Sequence, residues 1–251
     1  MSAIWVEIVA TRGSAPRDAG TAMKVTPQGC EGTIGGGALE WAAMARAREM
    51  LASDAPEETR RFPLGPNLGQ CCGGAVTLRF TRSPRATDAD GPPAARVAAE
   101  VALVGGLWLW GAGHVGRAVV RAVPPGAGAI TWVDSAPERF PAQIPAHVTA
   151  LPAADMPRLA ARAPADAHHL VFTYSHEIDL ALCAALLRRG FASCGLIGSA
   201  TKWARFSRRL RAAGLDPAPI TCPIGDKSLG KTPAAIAQGV VAALLRERND
   251  A

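Results

Sequence analysis

The sequence predicts an α/β protein with two domains: a smaller N-terminal α/β domain and a C-terminal Rossmann-like domain with a doubly wound parallel sheet. Strand-like and helix-like segments alternate through the second half of the chain, which is typical of parallel strands covered by helices on both faces. An apolar run at residues 107–110 leads directly into a glycine loop that opens a helical pattern. The length of 251 residues suits one large or two ordinary domains.

Each element follows from a local pattern of apolar residues. In the first half we expect strands at residues 5–10, 21–25 and 75–80 and one helix at 38–51. In the second half we expect strands at 107–110, 129–133, 169–173 and 193–197, with helices after the glycine loop and at 177–189, 202–213 and 233–248.

The join between the halves is predicted at residues 81–93. Proline, glycine and polar residues dominate this stretch and no periodicity survives in it, so it is typical of a linker. We place the boundary near residue 88, which gives domains 1–88 and 89–251. The sequence contains no internal repeat.

Composition favours a globular protein in the cytoplasm. Hydrophobic residues make up 49% and charged residues 19% of the chain, which is inconsistent with a disordered protein. The first residues have no basic start and no long apolar core, so we expect no signal peptide. The most apolar stretch, residues 97–110, contains Glu100 and is too short to span a bilayer, so no membrane partner is expected. Six cysteines are an ordinary number for this length and predict no disulfide framework.

The net charge of +6 comes largely from residues 79–96 and 202–211. One interpretation is attraction of an anionic ligand or an acidic partner. The interpretation we favour is a basic linker and a solvated helix face. Trp203 and Phe206 are three residues apart on one helix face, which is the spacing of core residues rather than of a stacking platform, so no nucleic-acid partner is expected.

Two adjacent cysteines, Cys71 and Cys72, lie between Gln70 and Gly73 just before the strand at 75–80. Neighbouring side chains on an extended segment point to opposite faces, so at most one thiol can enter a given cleft. The flanking glycines let a ligand approach the backbone. The pattern favours a thiol presented to a soft metal or to sulfur, and the alternative is that both cysteines pack at the start of the strand. A zinc site is not expected, because the other cysteines are scattered singly: Cys30, Cys183, Cys194 and Cys222.

Gly111, Gly113 and Gly116 form a dinucleotide-binding fingerprint between a strand and a helix. Glycines in this pattern allow a tight turn and bring phosphate oxygens to the backbone N–H groups at the helix start. Asp134 ends the next strand, about 20 residues later, where a carboxylate would accept a hydrogen bond from a ribose 2′-OH and favour NAD over NADP. A Rossmann fold does not by itself imply redox chemistry.

Two histidines lie at the expected ligand edge of this sheet. His114 is inside the glycine loop and either contacts a ligand phosphate or faces solvent. His176 follows Ser175 at the carboxyl end of a strand. Helix capping explains Ser175, and Asp179 in the first turn, but it leaves His176 unexplained. The sequence shows no nucleophile elbow, no Walker loop, no histidine pair spaced for a metal and no legible acid/base pair.

The first half offers two further loops. Residues 13–17 form a turn that carries Arg17, and Gly35, Gly36 and Gly37 precede the helix at 38–51. Three successive glycines at a helix start make an anion nest, and Arg17 could add a bidentate phosphate or carboxylate contact. The alternative is that the glycines only allow close packing of the loop. Two glycine loops, an arginine and a thiol suit a ligand with both phosphate and soft-atom character.

These segments resemble the XdhC/CoxI family, the molybdenum-cofactor accessory proteins of xanthine dehydrogenase and related enzymes. The resemblance covers nearly the whole chain. Its cysteine segment is highly specific and its Rossmann loop is not. Where many relatives have a histidine shortly before His176, this chain has Tyr174. The matching segments are GSAPR at 13–17, GTIGGGALE at 32–40, LGPNLGQCCGG at 64–74, GAGHVG at 111–116, GLIGS at 195–199, CPIG at 222–225 and GKTP at 230–233.

The resemblance implies a carrier rather than an enzyme, with a role in purine metabolism. Such proteins bind the molybdenum cofactor in its molybdopterin form and hold it while a cysteine desulfurase installs the terminal sulfur ligand. They then deliver it to apo xanthine dehydrogenase. The glycine loops and Arg17 would take the phosphate, and a thiolate from Cys71 or Cys72 would contact the metal, with Cys71 slightly preferred.

Two other functions remain open at this point. The first is an NAD-dependent oxidoreductase that uses the Gly111 loop and Asp134, with NAD as its cofactor. The second is an interaction scaffold that binds neither cofactor nor nucleotide. For the oligomeric state we favour a homodimer.

Overall fold

The computed structural model describes residues 3–64, 74–87 and 103–246. The chain divides into two compact units, Met1–Gly91 and Pro92–Ala251, which are described separately below. The exact boundary near residue 88 stays a prediction. Within the described ranges, none of the helices combines the length and the apolar character needed to cross a lipid bilayer.

The first unit is a five-stranded antiparallel sheet covered by one helix. The sheet order is β3-β2-β1-β5-β4. The elements are β1 (Ile4–Arg12), β2 (Ala22–Val25), β3 (Cys30–Gly32), α1 (Gly37–Ser53), β4 (Glu58–Pro63) and β5 (Ala75–Thr81).

The core of this unit lies between the sheet and α1. Along β1 the residues Ile4, Val6 and Ile8 are buried and alternate with half-buried neighbours, as expected for a strand with one covered face. The buried residues of α1 are one, three or four positions apart, which places them on one side of the helix: Leu39, Glu40, Ala43, Ala47 and Met50. The charged Glu40 is the exception in this apolar series, because its carboxylate accepts hydrogen bonds from residues 33–36.

The second unit is built on a six-stranded parallel sheet of order β11-β10-β9-β6-β7-β8, which confirms the predicted fold class. The elements are β6 (Leu107–Trp110), α2 (His114–Ala122), β7 (Ile130–Asp134), β8 (Val148–Pro152), α3 (Met156–Ala160), β9 (His168–Val171), α4 (His176–Arg189), β10 (Ser193–Leu196), α5 (Ala200–Ala212), β11 (Ile220–Thr221) and α6 (Pro233–Arg246).

Helices cover both faces of this sheet. Leu109 and Trp132 belong to the core that includes α2 and α6. Their neighbours Trp110 and Val133 belong to the core that includes α3, α4 and α5. Because successive side chains of a strand point to opposite faces, the two cores are separate layers on either side of the sheet.

The strand order places a switch point in the middle of this sheet. From β6 the chain proceeds outward through β7 to β8, and it then returns to the other side of β6 to build β9, β10 and β11. In open α/β sheets, ligands bind where the order reverses, at the carboxyl ends of the strands. Here that position lies between the ends of β6 and β9.

Candidate functional site

The N–H groups of the glycine loop in the first unit donate to a carboxylate of the same unit, that of Glu40. The glycines at 35–37 have φ values of 119°, 72° and 66°, a region in which residues other than glycine are strained. Glu40 Oε2 accepts hydrogen bonds of 3.1 Å from the N–H groups of Ile34 and Gly36, and another from the Thr33 hydroxyl. A phosphate at this loop would therefore use other donors or displace Glu40. The anion-binding role of the three glycines stays a prediction.

Arg17 lies against this glycine loop. Its side chain is buried, with 4% of the residue exposed. A Cβ added to Gly35 would lie 2.5 Å from Pro16 Cβ and 3.5 Å from Arg17 Cγ, so only glycine admits this approach. A guanidinium held away from water is stabilised by charged or polar partners, and one placed in a loop is suited to an anionic ligand.

Loop 13–17, which carries Arg17, also contacts Gly74 at the end of the cysteine segment. A Cβ at Gly13 would lie 3.2 Å from Gly74 Cα, and one at Gly74 would run into the carbonyl oxygens of Arg12 and Ser14. The N–H of Leu64 donates to the carbonyl of Gly74 at 2.8 Å, which joins the two residues that border segment 65–73. Loop 13–17 is therefore in contact with both Gly35 and Gly74.

Residues 65–73, which include both cysteines, lie outside the described residues. The predicted cofactor-binding roles of Gln70, Cys71, Cys72 and Gly73 stay predictions, as does the role of Cys71 as a metal ligand. In the parts of the chain that the structure describes, no three histidine, cysteine or acidic side chains are grouped as a metal site. Burial raises the pKa of the Cys194 thiol to about 12, so this thiol is neutral at physiological pH and does not provide a thiolate.

In the second unit, the three glycines of the fingerprint meet different constraints. Gly111 has a φ of 122°, and a Cβ there would lie 2.5 Å from the carbonyl oxygen of Phe172. A Cβ at Gly116 would collide with the carbonyl oxygen of Gly111, so this glycine allows α2 to pack against the loop. Gly113 is exposed and faces open space. Gly111 and Gly116 are thus needed for close packing of the backbone, and Gly113 leaves room for a ligand.

Asp134, at the end of β7, stabilises the glycine loop through a hydrogen bond. The residue is 2% exposed. Its Oδ2 accepts from the N–H of Ala112 at 2.6 Å, and its Oδ1 accepts from the N–H of Ser135 at 2.6 Å. The Nε of Arg139 lies 3.4 Å from the same Oδ1. Its predicted role as a ribose acceptor stays a prediction, and a ribose would have to share these buried oxygens.

The two predicted histidines begin helices at the same edge of the sheet. His114 is the first residue of α2 and is half-buried. His176 is the first residue of α4, which Ser175 caps by accepting from the N–H of Ile178 at 3.5 Å. The Nδ1 of His176 lies 2.9 Å from an Nη of Arg205. The second-unit residues predicted to bind a cofactor are therefore gathered at the carboxyl ends of β6, β7 and β9.

Sequence reasoning missed the pair formed by Arg139 and Tyr174. Tyr174 is 43% exposed, and the guanidinium carbon of Arg139 lies 3.9 Å from the centre of its ring. Arg117 donates to the carbonyl of Arg139 at 3.0 Å. The strand ends predicted where loops would meet, but an arginine five residues beyond Asp134 carries no pattern that marks it as a neighbour of Tyr174.

Comparisons with known proteins agree with this architecture. Residues 107–244 match the family model of the XdhC Rossmann domain, and residues 2–63 match that of the XdhC and CoxI family. The uncharacterized protein YqeB of Escherichia coli (strain K12) is 26% identical over 255 residues, covering 98% of this chain and 43% of YqeB, so this chain spans less than half the length of that relative.

A crystal structure described as a xanthine dehydrogenase from Bacillus halodurans is similar over 100% of this chain and 92% of its own, with 14% identity and a TM-score of 0.46. The family assignment does not depend on that likeness, because the Rossmann-domain match alone covers more than half of the chain. With the second match in the N-terminal region, the chain belongs to the XdhC and CoxI family.

Proposed function

We propose that the protein is a molybdenum cofactor-binding chaperone that holds the cofactor during sulfuration and delivers it to apo xanthine dehydrogenase. Family membership supports a role in xanthine dehydrogenase maturation. The observation that carries the proposal is the contact of loop 13–17 with both Gly35 and Gly74. This contact brings a buried arginine, a glycine loop and the border of the cysteine segment to one place.

The chemistry of these residues fits the cofactor. The molybdenum cofactor is an anionic pyranopterin with a phosphate and a molybdenum held by dithiolene sulfurs. The buried guanidinium of Arg17 can bind a phosphate through two parallel hydrogen bonds. Gly35 is exposed, so a ligand can approach its backbone, and a cysteine thiolate is a soft ligand for the metal.

In this proposal the protein holds and shields the cofactor and does not itself catalyse a reaction. Arg17 fixes the phosphate end, and Cys71 or Cys72 contacts the metal end, with Cys71 preferred. The bound cofactor supplies the metal centre of the target enzyme. A cysteine desulfurase and apo xanthine dehydrogenase are the proposed partners, and a homodimer is the proposed assembly.

The experiment that tests the proposal is anaerobic gel filtration of the protein with molybdenum cofactor, followed by measurement of molybdenum in the protein peak. We expect a stoichiometric amount of molybdenum to co-elute. Cys71→Ala should lose most of it, and Arg17→Gln should reduce it. Arg61→Gln is the matched control for Arg17, because Arg61 is an exposed residue of β4.

The outcomes separate the competing functions. Retention that is unchanged in both Cys71→Ala and Cys72→Ala would remove the thiol from the proposal. Absence of molybdenum in the protein peak would reject the chaperone. If the protein then still associated with xanthine dehydrogenase subunits, it would be an interaction scaffold.

An NAD-dependent oxidoreductase is the second candidate. The glycine loop between β6 and α2 supports it, because such a loop can bind a pyrophosphate at a helix start. The buried and engaged carboxylate of Asp134 does not favour it. Its test is binding of NADH, followed by consumption of NADH with cytosolic aldehydes or ketones. An NADH titration that detects no binding would exclude it.

A further inference from the structure

We infer that the second unit binds a 2′-phosphorylated adenine dinucleotide in preference to the unphosphorylated one, with Arg139 as the residue that selects the 2′-phosphate. This inference differs from the NAD expectation drawn from the sequence. It concerns only the second unit and does not rest on the proposed chaperone function.

The crevice lies at the switch point of the parallel sheet. The strand order reverses between β6 and β9, so the loops after these strands border the expected ligand position. Gly113 is exposed in one loop, and Tyr174 is exposed in the other. A dinucleotide placed here would set its pyrophosphate at Gly113 and its adenosine toward the end of β7.

Asp134, the acidic residue at the end of β7, already accepts hydrogen bonds from the backbone. A carboxylate that selects an unphosphorylated ribose needs an oxygen facing the ligand. Both oxygens of Asp134 accept backbone hydrogen bonds, from Ala112 and from Ser135, and the residue is 2% exposed. Its negative charge also lies beside Arg139, at 3.4 Å, which reduces its repulsion of a second anion.

Arg139 lies beside Asp134 at this crevice. Its Nε faces Asp134, and among the described residues its two terminal Nη groups have no hydrogen-bond acceptor. The side chain is 29% exposed. Stacking on Tyr174 fixes the plane of the guanidinium, and the bond from Arg117 fixes its backbone. An oriented guanidinium with free donors is suited to bidentate binding of a phosphate, and its stacked plane offers a surface for adenine.

A second guanidinium adds positive charge at the same edge. Arg205 reaches His176 from the β10 side of the loop, whereas Arg139 reaches Tyr174 from the β7 side. The Nε of Arg205 is buried without a hydrogen-bond partner among the described residues. Arg139 and Arg205 are both half-buried, and their positive charges favour the more highly charged dinucleotide.

The test is isothermal titration calorimetry of the full chain, purified free of molybdenum, with NADP⁺ and with NAD⁺. We expect NADP⁺ to bind about tenfold more tightly, the effect of charge-assisted hydrogen bonds to one phosphate. Arg139→Gln should reduce the affinity for NADP⁺ to that for NAD⁺, and Arg139→Lys should keep part of the preference. Arg162→Gln is the matched control. Arg162 is exposed, and it follows α3 on the side of the sheet where the strands begin, away from the candidate site.

Three results would overturn the inference: equal or tighter binding of NAD⁺, no binding of either dinucleotide, or a preference that survives Arg139→Gln. If that variant does not fold, the wild-type chain still decides the question. Adenosine 2′,5′-bisphosphate should then displace a bound dinucleotide better than adenosine 5′-monophosphate, and equal displacement would reject the role of the 2′-phosphate. Loss of molybdenum binding in the first unit would leave these results unchanged, so the two proposals fail separately.

Discussion

Lys202 and Asp179 form an ion pair that is almost closed to solvent. The Nζ of Lys202 lies 2.6 Å from Oδ2 of Asp179, and the two side chains are 2% and 1% exposed. Lys202 also donates to the carbonyl of Ile197 at 2.9 Å, and Oδ1 of Asp179 accepts from the N–H and the hydroxyl of Thr173 at 3.1 Å and 2.7 Å. The pair thereby connects the loop after β9, which borders the candidate site, to the loop after β10.

Replacing Lys202 by Met should destabilise the second unit. The change removes the positive partner and leaves the buried carboxylate of Asp179 with hydrogen bonds but no opposite charge. Breaking a buried pair in this way lowers the free energy of unfolding by about 3–5 kcal/mol. Urea unfolding followed by far-UV circular dichroism would measure the loss.

An exposed ion pair of the same unit provides the control. Arg209 and Glu177 are 2.9 Å apart, but their side chains are 48% and 72% exposed. Arg209→Met should therefore cost less than about 1 kcal/mol. The double variant Asp179→Leu/Lys202→Met should recover part of the stability lost in Lys202→Met, and a double variant as unstable as the sum of its parts would contradict the proposed coupling.

Replacing Glu40 by Ala should destabilise the first unit through its glycine loop. The carboxylate accepts from two backbone N–H groups and one hydroxyl in a buried position. Buried donors left without an acceptor cost about 1–3 kcal/mol each, so we expect a loss of at least about 2 kcal/mol in the free energy of unfolding. Glu40→Gln keeps one acceptor oxygen and should lose less.

The comparison for this prediction is Glu49→Ala on the same helix. Glu49 pairs with Arg46 at 3.1 Å, but its side chain is 66% exposed. Its replacement should change the unfolding free energy by less than about 1 kcal/mol. Equal losses in the two variants would show that the loop donors find water or another acceptor when Glu40 is removed.

The strands of the fold could be predicted where they have a covered face. Residues 107–110 are predicted as a strand because they form a continuous apolar run, and residues 75–80 because apolar side chains recur at every second position. The edge strand β4 was missed because Glu58–Pro63 carries charged, mostly exposed side chains and no apolar alternation. The other edge strands, β3, β8 and β11, give equally little signal.

The candidate site was predicted in position but not in its internal contacts. Loop 111–116 and His176 follow strands, and the ends of parallel strands share one edge, so their proximity follows from topology. That Glu40 fills the glycine nest, or that Arg139 stacks on Tyr174, depends on side-chain directions set by tertiary packing. Sequence spacing carries no information about such contacts.

His169 should make the stability of the second unit depend on pH. The side chain is 1% exposed on β9, and its Nδ1 accepts from Trp110 Nε1 at 3.2 Å. Burial, aided by the charge of His168, lowers the pKa of His169 from 6.5 to about 4. Between these values the unfolded chain binds the proton and the folded chain does not, so the free energy of unfolding falls as the pH falls.

From pH 7 to pH 5 the expected loss from this histidine is about 2 kcal/mol. Urea unfolding at a series of pH values measures it. His169→Gln keeps an acceptor for Trp110 and removes the titrating ring, so the variant should show a shallower pH dependence over this window. An unchanged dependence would mean that other groups bind the protons.

The three fingerprint glycines should respond differently to alanine, because different atoms face their Cβ positions. Gly111→Ala meets the carbonyl of Phe172 in a region of φ that disfavours side chains, and we expect a loss of more than about 2 kcal/mol in the free energy of unfolding. Gly116→Ala meets the carbonyl of Gly111 and should also destabilise the unit. Gly113→Ala faces open space at a φ of −74° and should change stability by less than about 1 kcal/mol.

The same variant separates folding from binding at this loop. A methyl group at Gly113 costs the fold little, but it occupies the space that a phosphate needs to reach the N–H groups at the start of α2. Gly113→Ala should therefore weaken dinucleotide binding while thermal unfolding stays near that of the wild type. If Gly113→Ala bound NADP⁺ as tightly as the unmodified chain, the phosphate would have to lie elsewhere, and Arg139 would have to select its ligand without the help of the glycine loop.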